Sequence, residues 1–199
     1  MKPSDSRHTL RTFIAIPLPQ NISLFLNRLQ GEIGNNQVKA SWTRTASLHL
    51  TLGFIGDTSE KEVKEIIRAM EATAILCPPF TLSAGGVGVF PGTKMARVIW
   101  AGVKGQVDAL RKVQRLLGKN LEQAGIKADD KHFSPHFTLG RFKDRMDCRR
   151  LETVIHAFQY AASDPWPVKA MVLFKSDLKP SGAVHTPLFE AEFAGRPHA

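Results

Sequence analysis

SLHLTLGFIGD (Ser47–Asp57) and SPHFTLGRFKD (Ser134–Asp144) are two renderings of one pattern within a chain of 199 residues. His49 matches His136, Thr51 matches Thr138, Leu52 matches Leu139, Gly53 matches Gly140 and Asp57 matches Asp144, and a serine stands two places before each histidine. The offset is constant at 87 residues (136 − 49). Laid on itself at that offset, the chain repeats its order of elements. RTFIAIPLP (Arg11–Pro19) falls on VIWAGVKGQ (Val98–Gln106), and both carry the short apolar runs of buried strands. Each is followed by an amphipathic helical stripe, Ile22, Phe25, Leu26, Leu29 and Ile33 in the first copy and Val107, Leu110, Val113, Leu117 and Leu121 in the second. Gly34 and Gly125 lie near the ends of these stripes, where a left-handed cap favours glycine.

A second helix follows each histidine stretch. Ser59 and Glu62 have the spacing of a capping box, ahead of Val63, Ile66, Ile67 and Met70; the matching stripe is Leu151, Val154, Ile155 and Phe158. Pro78-Pro79 and Pro165-Trp166-Pro167 stop these helices, and FTLSAGGVGVF (80–90) and VKAMVLFKS (168–176) follow as strands. LFEAEF (188–193) alternates as a half-buried strand. Each copy reads strand, helix, strand, helix, strand. The expected fold class is α+β: two similar lobes related by pseudo-two-fold symmetry, each an antiparallel sheet with helices on its outer face, and a groove between them. Residues 1–199 are read as a single bilobal domain with an internal repeat of about 11–95 and 96–193. The junction between copies is expected in FPGTKMAR (90–97).

Composition narrows the function classes. Apolar content is 43%, ordinary for a globular chain. Apolar runs are too short for a membrane span, and Met1–Leu18 lacks the run a signal peptide needs, so the expectation is a cytoplasmic monomer with no membrane partner. Cys77 and Cys148 make no disulfide framework and are read as free thiols. The net charge of +9 favours anionic partners.

Strand side chains alternate faces, so in HLT and HFT the histidine and threonine share one face while Leu50 or Phe137 enters the core. A polar pair on the open face, written twice, is poorly explained by packing. Histidine exchanges protons near neutral pH, and a threonine hydroxyl can hold a phosphoryl oxygen. Two histidines flanking one phosphorus atom suit in-line displacement, one taking a proton from the attacking oxygen and the other giving one to the leaving oxygen. Zinc wants three or four protein ligands, whereas the repeat offers two histidines and at most Asp57 and Asp144, each eight residues beyond its histidine where a helix-entry role is expected. The remaining histidines, His8, His132, His156 and His198, read as surface residues, and His185 lies in a C-terminal hairpin.

HLTL, HFTL, their spacing and the opening RTFIAIPLP resemble the 2H phosphoesterase superfamily, and WTRTASLHLTLGFIGD, VIWAGV, HFSPHFTLGRF and LFKSDLKPSGAVHTPL narrow the resemblance to the RNA 2′,3′-cyclic phosphodiesterases, or LigT-like 2′-5′ RNA ligases. The resemblance implies hydrolysis of a 2′,3′-cyclic phosphate on RNA 3′ ends or nucleotides to a 2′-phosphate, with no cofactor and no metal. It implies His49 as proton donor to the departing 3′ oxygen, His136 as proton acceptor activating water, and Thr51 and Thr138 on the phosphate oxygens. Arg141 matches the family's arginine after the second motif, pairing with phosphate or stacking on a base. ATP-independent 2′-5′ ligation is an expected side activity. The alternatives are a non-catalytic RNA-end binding module and a sibling activity on ADP-ribose 1″,2″-cyclic phosphate or 2′-5′ oligoadenylate. One departure is His185, where many relatives carry tyrosine. Phe13 and Trp42 are base-contact candidates read as core residues.

Overall fold

Short apolar runs joined by polar connections produce nine strands and four α-helices in this computed structural model, which describes residues 9–128, 133–179 and 182–195. In chain order these are β1 (Leu10–Ile16), α1 (Gln20–Asn35), β2 (Ser41–Trp42), β3 (Leu50–Thr58), α2 (Glu60–Ala74), β4 (Phe80–Phe90), β5 (Val98–Gly105) and α3 (Val107–Gln123), then β6 (His136–Arg141), α4 (Cys148–Ala157), β7 (Trp166–Val168), β8 (Ala170–Lys179) and β9 (Gly182–Glu192). Two antiparallel sheets result, with strand orders β3-β1-β8-β9 and β2-β6-β5-β4-β7. This is the α+β, two-sheet architecture expected. Among the described residues no helix is long and apolar enough to cross a membrane.

Each sheet takes two strands from the opposite copy of the repeat, β8 and β9 in the first sheet and β2 and β4 in the second. β4, which closes the first copy, pairs with β5, and β8 of the second copy pairs with β1. The local cause is the 90–97 connection. It makes a 3₁₀ turn at Thr93–Met95 and closes with the Arg97 N–H donating to the Phe90 carbonyl at 2.7 Å. Strands joined so tightly form a hairpin.

The helices follow their stripes. α1 buries Ile22, Leu26, Leu29 and Ile33; α3 buries Leu110, Val113, Leu117 and Leu121. Ser59 and Glu62 make the expected capping box on α2, with the Ser59 N–H donating to Glu62 Oε2 at 2.7 Å. Those bonds hold the Glu62 carboxyl below its ordinary value. Gly125 caps α3 at φ 74° as expected, but Gly34 lies inside α1, and the left-handed residue after that helix is Gln37, at φ 60°. Asp57 and Asp144 are not helix caps either. Asp57 is exposed within β3 while Ser59 caps α2, and Asp144 lies in the connection before Asp147, which caps α4.

One buried polar contact ties α1 to the second sheet. Gln30, on the inner face of α1, donates from Nε2 to the carbonyls of Thr43 at 2.8 Å and Leu139 at 2.7 Å. Leu139 is inside the second histidine motif, so α1 fixes the strand that carries His136. Removing the amide takes this donor from the half-buried Thr43 carbonyl and the buried Leu139 carbonyl. Gln30→Met is expected to cost about 1–3 kcal/mol, read as a fall in the urea midpoint of unfolding.

Candidate active site

The two motif strands obey the alternation. Leu50 and Phe137 have no exposed surface, and His49, Thr51, His136 and Thr138 lie half-buried on the other face. β3 and β6 touch one another, and the charge of His136 acts on His49.

Both motifs also bulge at the same residue. Ala15 pairs with Thr51 and Ile14 with Gly53, skipping Leu52; Trp100 pairs with Thr138 and Ile99 with Gly140, skipping Leu139. A bulge shifts the phase of a strand by one residue. Phe54 therefore returns to the histidine face beside Phe13, and Arg141 returns to it beside Val98, two residues from Trp100. Leu52 and Leu139 stay in the core at 2% and 0% exposure. Gly140 packs under Trp42, where a Cβ would sit 3.0 Å from the indole ring.

Each histidine is oriented the same way. The His49 Nδ1–H donates to the Ser47 carbonyl at 2.8 Å, and the His136 Nδ1–H donates to the Ser134 carbonyl at 2.7 Å. A carbonyl oxygen only accepts, so Nδ1 carries the hydrogen and Nε2 is left for chemistry. The recurrent serines thus act through their backbones. Ser47 adds a second bond, from its hydroxyl to the Ala183 carbonyl at 3.3 Å.

Aromatic beds support both rings. Phe13 lies 4.7 Å from His49, centroid to centroid, within a row that runs Phe54–Phe13–Phe174 across the first sheet. Phe90 lies 5.1 Å and Trp100 6.4 Å from His136. Trp100 lies flat over Gly88, where a Cβ would come within 2.2 Å of the indole. Phe13, expected in the hydrophobic core, is buried at 2% exposure but belongs to this bed. Trp42 is partly buried and packs on the core as expected.

Burial pushes the His49 imidazole down to about 4; the Ser47 carbonyl bond opposes that, and the charges of His185 and His136 reinforce it. His49 and His136 thus act on one another electrostatically. Burial also lowers His185, with Arg44 adding to the effect.

Against known proteins, the LigT like Phosphoesterase family profile matches residues 16–100 and 102–185. The chain belongs to the LigT-like phosphoesterase family. It is 28% identical over 177 residues to the RNA 2′,3′-cyclic phosphodiesterase of Methanothermobacter thermautotrophicus, covering 89% of this chain and 95% of that one. It is 31% identical over 194 residues to the protein of the same name from Thermus thermophilus, covering 94% and 91%. The crystal structure of TT0787 of Thermus thermophilus superposes with a TM-score of 0.77 at 28% identity, over 94% of this chain and all of that one.

In this LigT-like phosphoesterase the site residues from the sequence, His49, Thr51, His136, Thr138 and Arg141, all come to the facing sides of β3 and β6 or the strand end beyond. Two further groups were missed. Phe54, 49% exposed, is the repeat mate of Arg141, and only the bulge turns it to this face. His185 stands edge-on to His49 at 5.2 Å. His156 is exposed and accepts from Gln159 at 2.9 Å; His8, His132 and His198 lie outside the described residues. Cys77 and Cys148 are free thiols, and among the described residues no group of three or more His, Cys, Asp or Glu gathers as a metal site. A cavity of about 450 Å³ lies elsewhere, lined by Pro17, Pro19, Trp166 and Pro167 among others and by neither motif histidine.

In the empty protein His49 stays neutral down to about pH 4. An anion held against the ring favours its charged form, so inorganic phosphate is expected to raise the His49 titration midpoint and, by linkage, to bind more tightly as pH falls. Histidine ring NMR titrations with and without phosphate check this; a midpoint unmoved at saturating phosphate would count against an anion site here.

Proposed function

We propose that this protein hydrolyses the 2′,3′-cyclic phosphate of RNA 3′ ends and nucleotides to a 2′-phosphomonoester by two-histidine general acid–base catalysis. The observation that carries this reading is the matched pair of Nδ1 bonds, 2.8 Å at His49 and 2.7 Å at His136. They leave two Nε2 atoms, on strands that touch, as the proton-exchanging groups of one site. The curated relatives' names supply the substrate class.

In the proposed reaction a water oxygen attacks phosphorus while its proton passes to His136 Nε2. The bond from phosphorus to the 3′ oxygen breaks in line, and His49 Nε2–H protonates that oxygen. The products are a 2′-phosphate and a 3′-hydroxyl, and the water proton resets the pair after product release. Thr51 and Thr138 hold the non-bridging oxygens, and Arg141 neutralises their charge or stacks on the base. Both protein protons move between imidazoles and oxygens, so the chain's own residues complete the proton transfers.

The acid role asks His49 to be charged where the empty site keeps it neutral. The substrate resolves this. A cyclic phosphate carries a negative charge, and bringing it beside His49 raises the ring's proton affinity at the moment the proton is needed. Ligation through a 2′-5′ linkage is the formal reverse, with the two histidines exchanging roles, and water outcompetes RNA 5′-hydroxyls as nucleophile.

Hydrolysis of a nucleoside 2′,3′-cyclic phosphate in EDTA, with the product isomer identified, tests the reading. We expect full turnover, a 2′-phosphate product and a bell-shaped pH profile. His49→Ala and His136→Ala should each cost at least about a hundredfold in rate. Binding without turnover would instead mark an RNA-end binding module. Turnover confined to ADP-ribose 1″,2″-cyclic phosphate or 2′-5′ oligoadenylate would move the substrate assignment within the superfamily.

A further inference from the structure

His185 introduces an asymmetry that the repeated motif lacks. It stands on β9, opposite Ser176 of β8. Its ring meets His49 edge-on, centroids 5.2 Å apart and planes at 87°, and meets Phe13 at 4.8 Å and 77°. The other motif histidine has a geometrically matching neighbour: Phe90 meets His136 at 5.1 Å and 83°. The two contacts are nearly the same in shape and different in chemistry. A phenyl ring carries no exchangeable proton, whereas an imidazole does. The His185 Nδ1 is moreover buried and has no hydrogen-bond partner among the described residues. Native proteins retain few such groups, and each asks for an explanation.

We propose that His185 is a positioning residue that makes the two motif histidines inequivalent, because its edge-on contact with His49 disfavours a proton on both imidazoles at once. The proposal rests on the reading of His49 and His136 as the acid–base pair. The two share a backbone constraint, each with Nδ1 tied to a carbonyl two residues back and an aromatic bed beneath. The proposed reaction nonetheless starts with one of the two protonated and the other neutral.

The surroundings add positive charge to the pair. His185 and His136 act on His49, and Arg44 acts on His185. Arg44 is held there by its Nη2 donating to the Ala183 carbonyl at 2.6 Å, the same carbonyl that receives the Ser47 hydroxyl. On β8, Lys175 and Asp177 flank Ser176 and pair with one another at 3.0 Å. Among the described residues, no carboxylate acts on the two imidazoles to stabilise a second proton. Two sites coupled in this way titrate as a pair.

The test is the titration of each histidine ring by NMR on the full chain, from roughly pH 3 to 8 so that the His49 midpoint is bracketed, in the native protein and in two variants. His185→Phe gives His49 the kind of neighbour that His136 already has. His185→Gln keeps a polar side chain without a titrating proton, and serves if the first variant folds poorly. We expect the His49 midpoint to rise by about half a pH unit or more in both variants, with His136 moving less. An unchanged or lowered His49 midpoint in both would overturn the proposal. A rise in one variant alone would mark a packing effect and overturn it equally. The titration uses no substrate, so its failure would leave the phosphodiesterase reading standing, and absence of turnover would leave the titration result standing.

Discussion

Each motif histidine gives its Nδ1–H to a backbone carbonyl two residues back, and the rest of the site depends on this bond. Free imidazole has two tautomers and a swivelling ring. Tied at Nδ1, it presents one nitrogen in one direction, and its proton traffic runs through Nε2 alone. The acceptor is backbone, so its position is set by the strand that leads into the motif. Everything that fixes that strand therefore serves the histidine. For His136 this includes the Gln30 amide, which reaches from α1 to the Leu139 carbonyl. For His49 it includes the Ser47 hydroxyl, which ties the preceding turn to the C-terminal hairpin.

Much of this was legible in the sequence because strand alternation is strict. Once HLT and HFT are read as strands, Leu50 and Phe137 must point inward and the polar pairs outward, and they do. The helical stripes were legible for the same reason, since a period near 3.6 survives any tertiary arrangement. The bulges at Leu52 and Leu139 were not legible. Alternation read straight through would put Phe54 and Arg141 on the core side. A single skipped residue per strand brings them to the groove, and nothing local in Leu-Gly announces it. Arg141 was found through resemblance; Phe54, with no charge to draw attention, was missed. The exchange of β4 and β8 between sheets was equally hidden, because periodicity says which face a strand buries and not which neighbour it takes. Gln30 sits within an apolar stripe where no pattern marks the two carbonyls that hold it. The helix-entry assignments of Asp57 and Asp144 failed because Ser59 and Asp147, nearer the helices, offered better capping geometry.

The electrostatic character of the site follows from what it lacks as much as from what it holds. His49, His136, His185, Arg44 and Arg141 bring positive or potentially positive charge, and burial acts against placing a proton on His49. Such a site resists full protonation while it is empty. In the proposed mechanism, desolvation that weakens His49 as an acid becomes an advantage once a phosphate is bound, because the interaction between imidazolium and phosphate is strongest where water is scarce.

A duplicated fold creates a difficulty along with its convenience. Repetition places two equivalent groups on either flank of a shared space at no further cost in design, but acid–base catalysis needs those groups to be unequal when the substrate arrives. The chain keeps the backbone constraint identical in both halves and varies what packs against the ring, phenyl at one histidine and imidazole at the other. The difference comes from β9, the C-terminal strand, which lies outside both motifs. Symmetry builds the frame, and in the proposed reading a residue outside the repeated motif makes the two histidines unequal.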